Sequence, residues 1–496
     1  MDTVKLMDLV KHLFIKEIVH DNEIEITGLA VDSRKVKEGD LFICIPGFKT
    51  DGHQFAHQAV SLGAKALMVE RILDVPVTQI IVPDVRRAMA IVADTFFGQP
   101  THHLDLIGVT GTNGKTTVTY LLEAIFREYG KKTGLIGTIH MKIGDETEEV
   151  KNTTPDVFEL QHSFRRMVDA GVEYAMMEVS SHALEMGRVR GCRYKTAIFT
   201  NLTQDHLDYH GTMEQYKQAK GLLFSQLGNT YHWDSPSFAI LNQDDEASLC
   251  YAKMTSAQVV SYGIKNKADV MATDLKISST GTSFTVKTPA GEIPLKIKLI
   301  GMFSIYNSLA AISAAVVENV PLPVIQSALE KVPGVNGRFE KVDEGQDFTV
   351  IVDYAHTPDS LENVLKTIRD FATGKVYCVV GCGGDRDKTK RPIMASIAAK
   401  YSNVAVITSD NPRSEEPQAI IDDMVQGLKE RNIPRNKYVT MVDRKQAIQY
   451  AINEAQKDDV ILIAGKGHET YQIIKGEVLP FDDRLVAKEA IRSKKK

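Results

Sequence analysis

The sequence predicts an α/β protein of three domains, and three observations lead there. A glycine-rich run, Thr110-Gly111-Thr112-Asn113-Gly114-Lys115-Thr116-Thr117, lies between an apolar segment and a helix-like one. Apolar runs separated by helical stretches follow it, the pattern of a parallel sheet covered on both faces. Beyond Gly334 a unit of apolar strand, polar loop and helix recurs four times. At 496 residues the chain is too long for a single hydrophobic core.

The first segment, 1–102, alternates short β-like runs such as Leu41–Ile45 with a helical stretch from His53 to Leu62, and closes at Pro100 before His102 and His103. It reads as a small α/β N-terminal domain. The second, 103–334, shows strand Leu106–Val109, a helix from Lys115, strand Leu135–Ile139, helix Asp156–Asp169, and strands Val172–Val179 and Ala197–Leu202. That is the rhythm of a P-loop ATPase-like parallel sheet. Between about 255 and 300 the pattern changes to alternation, as in Gly281–Val286, which predicts an antiparallel, β-rich appendage. The uncharged stretch Leu299–Val317 carries Gly301, Ser304, Tyr306, Asn307, Ser308 and Ser313, so it reads as a buried helix and not as a membrane span. The third segment, 335–496, holds the four repeated units and predicts a Rossmann-like sheet. Ligands of such sheets bind beyond the carboxyl ends of the strands, where all four polar clusters fall.

Composition bounds the function. Hydrophobic residues make up 43% and charged residues 25%, and the formal net charge of −5 argues against a generic nucleic-acid binder. The five cysteines, Cys44, Cys192, Cys250, Cys378 and Cys382, are odd in number and scattered, which fits reduced thiols in the cytoplasm. The N-terminal run MDTVKLMDLVKHLF spreads its charges through an amphipathic pattern, unlike a secretory signal.

The glycine-rich run has the chemistry of a phosphate-holding loop. Glycines let several N–H groups face one anion, the helix N-terminus adds its dipole, Lys115 a point charge and Thr116 a hydroxyl for Mg2+. Val109 stands where the usual pattern has its first glycine. Two strand ends add metal-compatible side chains, Glu178 in MEVSSH and His206 in TNLTQDH. Taken singly, a strand-end glutamate is often only solvated and a lone histidine is often structural. Tyr216-Lys217-Gln218-Ala219-Lys220 reads by itself as the exposed face of a helix. A nucleotide-switch GTPase is the rival of another class, because Asp208-Tyr209-His210-Gly211 fits D-x-x-G and Asn266-Lys267-Ala268-Asp269 fits N-K-x-D.

Together TGTNGKTT, MEVSSH, TNLTQDHLDYHG, YNSLAA, GRFE, DYAHTPDS and DNPR resemble, in order and across nearly the whole chain, the Mur ligases, ATP-dependent amide-forming enzymes of peptidoglycan synthesis. The resemblance implies a cytoplasmic ligase serving cell-wall formation, and with it cell shape and division. It implies an acyl-phosphate mechanism and small-molecule substrates, a UDP-muramoyl dipeptide and a diamino acid. No nucleic acid and no membrane span are expected, and a monomer is. By position, Gly111, Thr112, Asn113, Gly114, Lys115, Thr116 and Thr117 would hold ATP, with Asn307, Arg338 and Asp353 near the nucleotide. Thr116, Glu178 and His206 would bind Mg2+. Lys220 matches the family lysine that takes up CO2 as a carbamate and then serves as an anionic ligand for a second Mg2+, so Lys115, Lys220 and His206 form the catalytic set. Ser33 in Asp32-Ser33-Arg34 matches the uridine-side motif, and Thr153, Thr154, Ser180 and Arg188 match sugar-peptide contacts; Asp-Ser-Arg alone reads as a turn and Thr-Thr-Pro as a helix cap. Asp410, Asn411, Pro412 and Arg413 imply a diaminopimelate pocket, joined by Arg386, Gly465 and Glu469. A guanidinium can hold the distal carboxylate that separates diaminopimelate from lysine, whereas a lysine ammonium would be repelled. The lysine-adding Mur ligase is the alternative within the family. Ser304 stands where the family often has asparagine.

Overall fold

The computed structural model describes residues 3–20, 23–47, 50–230, 234–278 and 280–494, so Met1 and Asp2 of the amphipathic N-terminal run lie outside the described residues. The chain forms two compact units, Met1–Gly108 with Lys131–Lys195, and Val109–Gly130 with Thr196–Lys496.

In the first unit a five-stranded sheet runs in the order Glu17–Val19, Thr78–Ile81, Ala66–Val69, Asp40–Ile43, Gly28–Ala30, and only Glu17–Val19 is antiparallel to its neighbour. Alternate side chains supply its two faces. Leu41, Ile43, Met68 and Ile80 enter one apolar cluster, Phe42, Cys44, Leu67 and Val69 the other, as a strand period of two requires. The expected helix from His53 begins instead as a 3-10 turn, Gly52–Phe55, before α-helix Ala56–Ser61. Asp51 accepts from the His53 N–H and tightens that start. Further along, parallel strands Thr133–Ile136 and Tyr174–Glu178 are extended by antiparallel Met141–Ile143 and Glu146–Glu148. Helix Val157–Asp169 buries Leu160, Phe164 and Met167, spaced to share one face.

Strand Asp105–Thr110 leads into the glycine-rich loop, and helix Lys115–Glu128 leaves it. In the second unit, strands Thr196–Phe199, Phe238–Asn242, Gln258–Gly263 and Val270–Ser278 pair in parallel. Gly281–Thr288 and Gly291–Ile297 then continue antiparallel, the expected β-rich appendage. Helix Met302–Val317 is buried, as its sequence predicts. Its Ser304, Ser308 and Ser313 hydroxyls donate to the carbonyls four residues back, which removes the cost of burying them. No described helix is long and apolar enough to cross a membrane.

The C-terminal six-stranded sheet has the order Glu340–Val342, Thr349–Asp353, Val460–Ala464, Val376–Val380, Val404–Thr408, Tyr438–Met441, parallel except at Glu340–Val342. The four repeated sequence units are its central strands. Edge strand Tyr438–Met441 escaped the pattern because it is short and less buried. Arg444, wholly buried, ties the middle of this sheet together: Nε and Nη2 donate to the Asp483 carboxylate, each at 2.8 Å, and the guanidinium also donates to Ser409 O, just past strand Val404–Thr408, and to Ala464 O, at the end of strand Val460–Ala464. Arg444→Ala leaves Asp483 buried without its counter-charge and should lower unfolding free energy by about 3–5 kcal/mol in urea titration, whereas exposed Lys445→Ala should stay within about 0.5 kcal/mol.

Candidate active site

The glycine-rich loop is shaped by backbone demands that only glycine meets at two points. Gly114 has φ +89°, and a Cβ there would collide with the Asn307 carboxamide; Gly111, at φ +148°, faces the Thr200 hydroxyl. Thr200 Oγ1 and Asn201 Nδ2 donate to the Asn113 carbonyl at 2.6 and 3.1 Å, and Asn201 Oδ1 accepts the Asn113 N–H. The Asn113 carboxamide donates to Asp359 at 3.1 Å, joining this loop to the start of helix Pro358–Phe371. Thr112 bonds to Thr203 and to the Tyr216 hydroxyl. Thr116 and Thr117 are buried in the first turn of the following helix. The Arg338 guanidinium donates to Thr116 Oγ1 at 3.1 Å and lies 4.5 Å from the Tyr354 ring centroid.

Two lysines meet at one carbonyl. Lys115 Nζ donates to Gly111 O at 2.8 Å and Thr112 O at 2.9 Å, and Lys220 Nζ donates to the same Gly111 O at 2.9 Å. Helix Met213–Ser225 places Tyr216 and Lys220 one turn apart on a buried face, each 1% exposed, so the expectation of an exposed face fails for these two. Burial first, and then Lys115, push the Lys220 ammonium well below the ordinary lysine range, against the pull of Asp205. That shift favours the neutral amine.

Asp205 is a functional candidate that sequence reasoning passed over beside His206. Its buried carboxylate lies 3.3 Å from His206 Nε2, 3.8 Å from His356 Nε2 and 4.0 Å from Lys390 Nζ. Burial alone would raise its pKa, but these three neighbours outweigh it and hold the group at about 2. His206 itself has φ +55° and starts the short helix Leu207–His210. Asp353, at the end of its strand, accepts the N–H groups of Phe339 and Ala355 at 2.6 and 2.7 Å.

The loops that follow the C-terminal strands are equally built. Arg413 adopts φ +54°, and its Nη1 donates to Gly384 O at 2.7 Å. Lys466, fully buried, donates to Asn411 Oδ1 at 3.0 Å and Glu469 Oε2 at 2.9 Å, and Asn411 Nδ2 reaches the same Glu469 oxygen. Gly465 passes so close to Asp410 that a Cβ would lie 2.6 Å from Oδ2. Pro412 O accepts from Glu415 N, and the exposed Arg386 donates from Nη1 to the Asp385 carbonyl at 2.9 Å. Arg391 is a second anchor the sequence did not reveal: its guanidinium spans Glu415 and Asp423 and holds the Gly383–Asp387 loop against the Arg413 loop through Gly383 O.

The first unit carries the remaining candidates. Glu178 is 1% exposed and accepts from Thr138 N at 2.7 Å and Thr138 Oγ1 at 3.0 Å. Thr138 also bonds Thr153 at 3.1 Å. Thr154 Oγ1 donates to Glu178 O at 2.8 Å and accepts the Ser180 N–H, while Arg188 donates to Thr154 O and pairs with Asp156. Ser180 caps helix Ser181–Glu185. Asp32-Ser33-Arg34 forms a turn in which Ser33 Oγ donates to Gln58 Oε1 at 2.8 Å.

Among the described residues no three His, Cys, Asp or Glu side chains form a metal cage. Mg2+ is seldom caged by protein alone and takes one or two carboxylates with water and phosphate oxygens; the Glu178 carboxylate and the Thr116 hydroxyl are each oxygen donors of that type. The switch reading does not suit the structure. Asp208 lies inside a short helix, and Asn266 and Asp269 are engaged with Asp244 and Ser261 in a surface turn.

Residues 25–97 match the Mur ligase family catalytic domain, 109–315 the Mur ligase middle domain and 337–467 the Mur ligase glutamate ligase domain. A Bacillus cereus protein named UDP-N-acetylmuramoyl-L-alanyl-D-glutamate–2,6-diaminopimelate ligase is 57% identical over 488 residues, 98% of each chain. The chain belongs to the Mur ligase family. A Mur ligase of the same name from Geobacillus kaustophilus is 55% identical over 491 residues, 99% of this chain and 100% of that one. A solved structure titled with that name aligns at TM-score 0.70 and 33% identity over 100% of both chains.

Glu415 gives this Mur ligase site a pH signature. The Arg391 guanidinium holds its carboxyl at about 2, against an ordinary value of 4.5. A depressed native pKa makes the unfolded chain bind the proton first, so the stability it confers is whole above pH 4.5 and lost as pH falls toward 2. Acid unfolding should therefore show a smaller loss across that window in Glu415→Gln than in the wild type.

Proposed function

We propose that this Mur ligase uses ATP to join meso-2,6-diaminopimelate to the D-Glu γ-carboxylate of UDP-N-acetylmuramoyl-L-Ala-D-Glu in the cytoplasm. The observation that carries the proposal is Arg413, fixed by Gly384 O at the mouth of the C-terminal sheet, in a chain 57% identical to a relative bearing that activity in its name. A planar guanidinium receives the distal carboxylate of diaminopimelate in two parallel hydrogen bonds. Arg386 completes the carboxylate side, and Asp410 with Glu469 supplies negative charge for an ammonium. Burial and Asp410 raise the Glu469 carboxyl, while Lys466 and Asn411 oppose them.

The donor carboxylate attacks the γ-phosphorus of ATP, the bridging P–O bond breaks, and ADP leaves an acyl phosphate. The diaminopimelate amine then attacks the acyl carbon and phosphate departs. Amide formation from a free carboxylate lacks a good leaving group, and phosphorylation provides one. Gly111 to Thr117 and Lys115 would hold the phosphates, with Asn307, Arg338 and Asp353 near the nucleotide, and Ser33, Thr153, Thr154, Ser180 and Arg188 would hold the UDP-sugar peptide. Rate comes from holding anions in line and neutralising them. Thr116, Glu178 and His206 would hold Mg2+, which supplies positive charge to the phosphates. The neutral Lys220 amine attacks CO2, forms an N–C bond and releases a proton, leaving a carbamate in place of a cation. The substrates are small molecules, and the enzyme acts as a monomer.

Purified protein with ATP, Mg2+, the UDP-muramoyl dipeptide and either diaminopimelate or lysine tests the reaction. Product only with diaminopimelate, with label from the substrate carboxylate appearing in phosphate, is the expected outcome; unlabelled phosphate would remove the acyl phosphate. Arg413→Ala should lower kcat/KM for diaminopimelate by about 100-fold or more, the scale of a lost charge-assisted pair, and leave ATP affinity unchanged. Lys220 should give a 13C carbamate resonance under labelled bicarbonate, absent in Lys220→Ala.

A further inference from the structure

The chain returns to the Arg413 loop after strand Val460–Ala464 with a small antiparallel hairpin, Tyr471–Ile474 and Glu477–Pro480. Its first strand does not join the main sheet. It lies instead along Asp410–Arg413 and binds that segment at four points. Gln472 Nε2 donates to Asp410 O at 2.6 Å, Ile473 N to Asn411 Oδ1 at 3.0 Å, Arg413 N to Ile473 O at 3.0 Å, and Lys475 N to Arg413 O at 2.7 Å. Both backbone hydrogen-bonding groups of Arg413 are thus taken by the hairpin.

These bonds answer a conformational need. Arg413 sits at φ +54°, a region in which a long side chain is disfavoured, so surrounding contacts must hold it there. No glycine relieves the position. Gln472 is 8% exposed, and its amide reaches the buried end of the segment, where Asp410 and Asn411 are 9% and 3% exposed. The opposite wall is fixed by Gly384 O on the guanidinium. Arg413 is therefore held by its backbone from one side and by its side chain from the other.

Resting on the diaminopimelate reading above, we propose that the 471–480 hairpin is the template that sets Arg413 in register for the distal carboxylate, with Gln472 as a positioning residue for amino-acid selectivity. Gln472 does not touch substrate in this account. It acts through the Asp410 carbonyl, and the hairpin strand carries the effect to Arg413. Because these four bonds run to Asp410–Arg413 and not to the glycine-rich loop, loosening of the hairpin is read at the amino acid and not at ATP.

The experiment uses the full-length enzyme, with Gln472→Ala and, as a backbone test, Ile473→Pro, which deletes the N–H donated to Asn411 Oδ1. Folding is followed by thermal unfolding, segment 409–416 by hydrogen exchange, and turnover with diaminopimelate and with lysine. Loss of one buried hydrogen bond should raise exchange in 409–416 and KM for diaminopimelate by about tenfold, lower the diaminopimelate-to-lysine preference by a similar factor, and leave KM for ATP unchanged. Unaltered preference in a variant whose segment has loosened overturns the hairpin proposal alone. Unaltered exchange in both variants overturns it as well, as does an equal rise in both KM values. A wild type that uses neither amino acid overturns this proposal together with the function on which it rests.

Discussion

The close meeting of three backbones at Gly337, Tyr354 and Gly467 is the constraint on which the second unit depends. Tyr354 N donates to Gly337 O at 2.9 Å, and a side chain on Gly467 would run into Gly337 O and Tyr354 Cβ at 2.6 and 2.7 Å. Gly337 meets the His468 backbone just as tightly. From this knot two arms extend. Arg338 leads from it to Thr116 in the phosphate loop, and Lys466 with Glu469 leads to Asn411 and the Arg413 loop. The proposed nucleotide end and the proposed amino-acid end are thereby mounted on one piece of packed backbone, which is what a two-step reaction with a water-sensitive intermediate needs.

Charge is arranged to match. Lys115 and Lys220 share the Gly111 carbonyl, and their proximity is part of what lowers the Lys220 amine. Binding of phosphates offers Lys115 a better partner than loop carbonyls, and conversion of Lys220 to an anion would turn a repulsive pair into an attractive one. Across the same unit, Asp205 stays ionised among His206, His356 and Lys390 and links its own loop to the His356 loop and to the start of helix Lys390–Tyr401.

Much of this was legible in the sequence because it is local. The run from Thr110 to Thr117, the serine-compensated helix Met302–Val317, and the four apolar strands of the C-terminal sheet each carry their signal within a short window. What escaped is nonlocal. Arg444 meets Asp483 across 39 positions, and Arg391 meets Glu415 across 24, and neither pair leaves a periodic trace. The burial of Tyr216 and Lys220 depends on what packs over their helix face, which a polar-looking pentapeptide does not disclose. Asp205 was hidden by its neighbour His206, and the hairpin's grip on Arg413 by the ordinary look of its residues. One general signal was available for such sites: charged residues inside strand-end loops repeatedly prove buried, as Asp353, Asp410 and Lys466 do.

The most direct test is a crystal structure with a non-hydrolysable ATP analogue and diaminopimelate bound together. The account predicts the γ-phosphate on Lys115 and the distal carboxylate on the Arg413 guanidinium, with both ligands opening onto one continuous cleft. Ligands bound on separate surfaces, or a diaminopimelate carboxylate held away from Arg413, would contradict it.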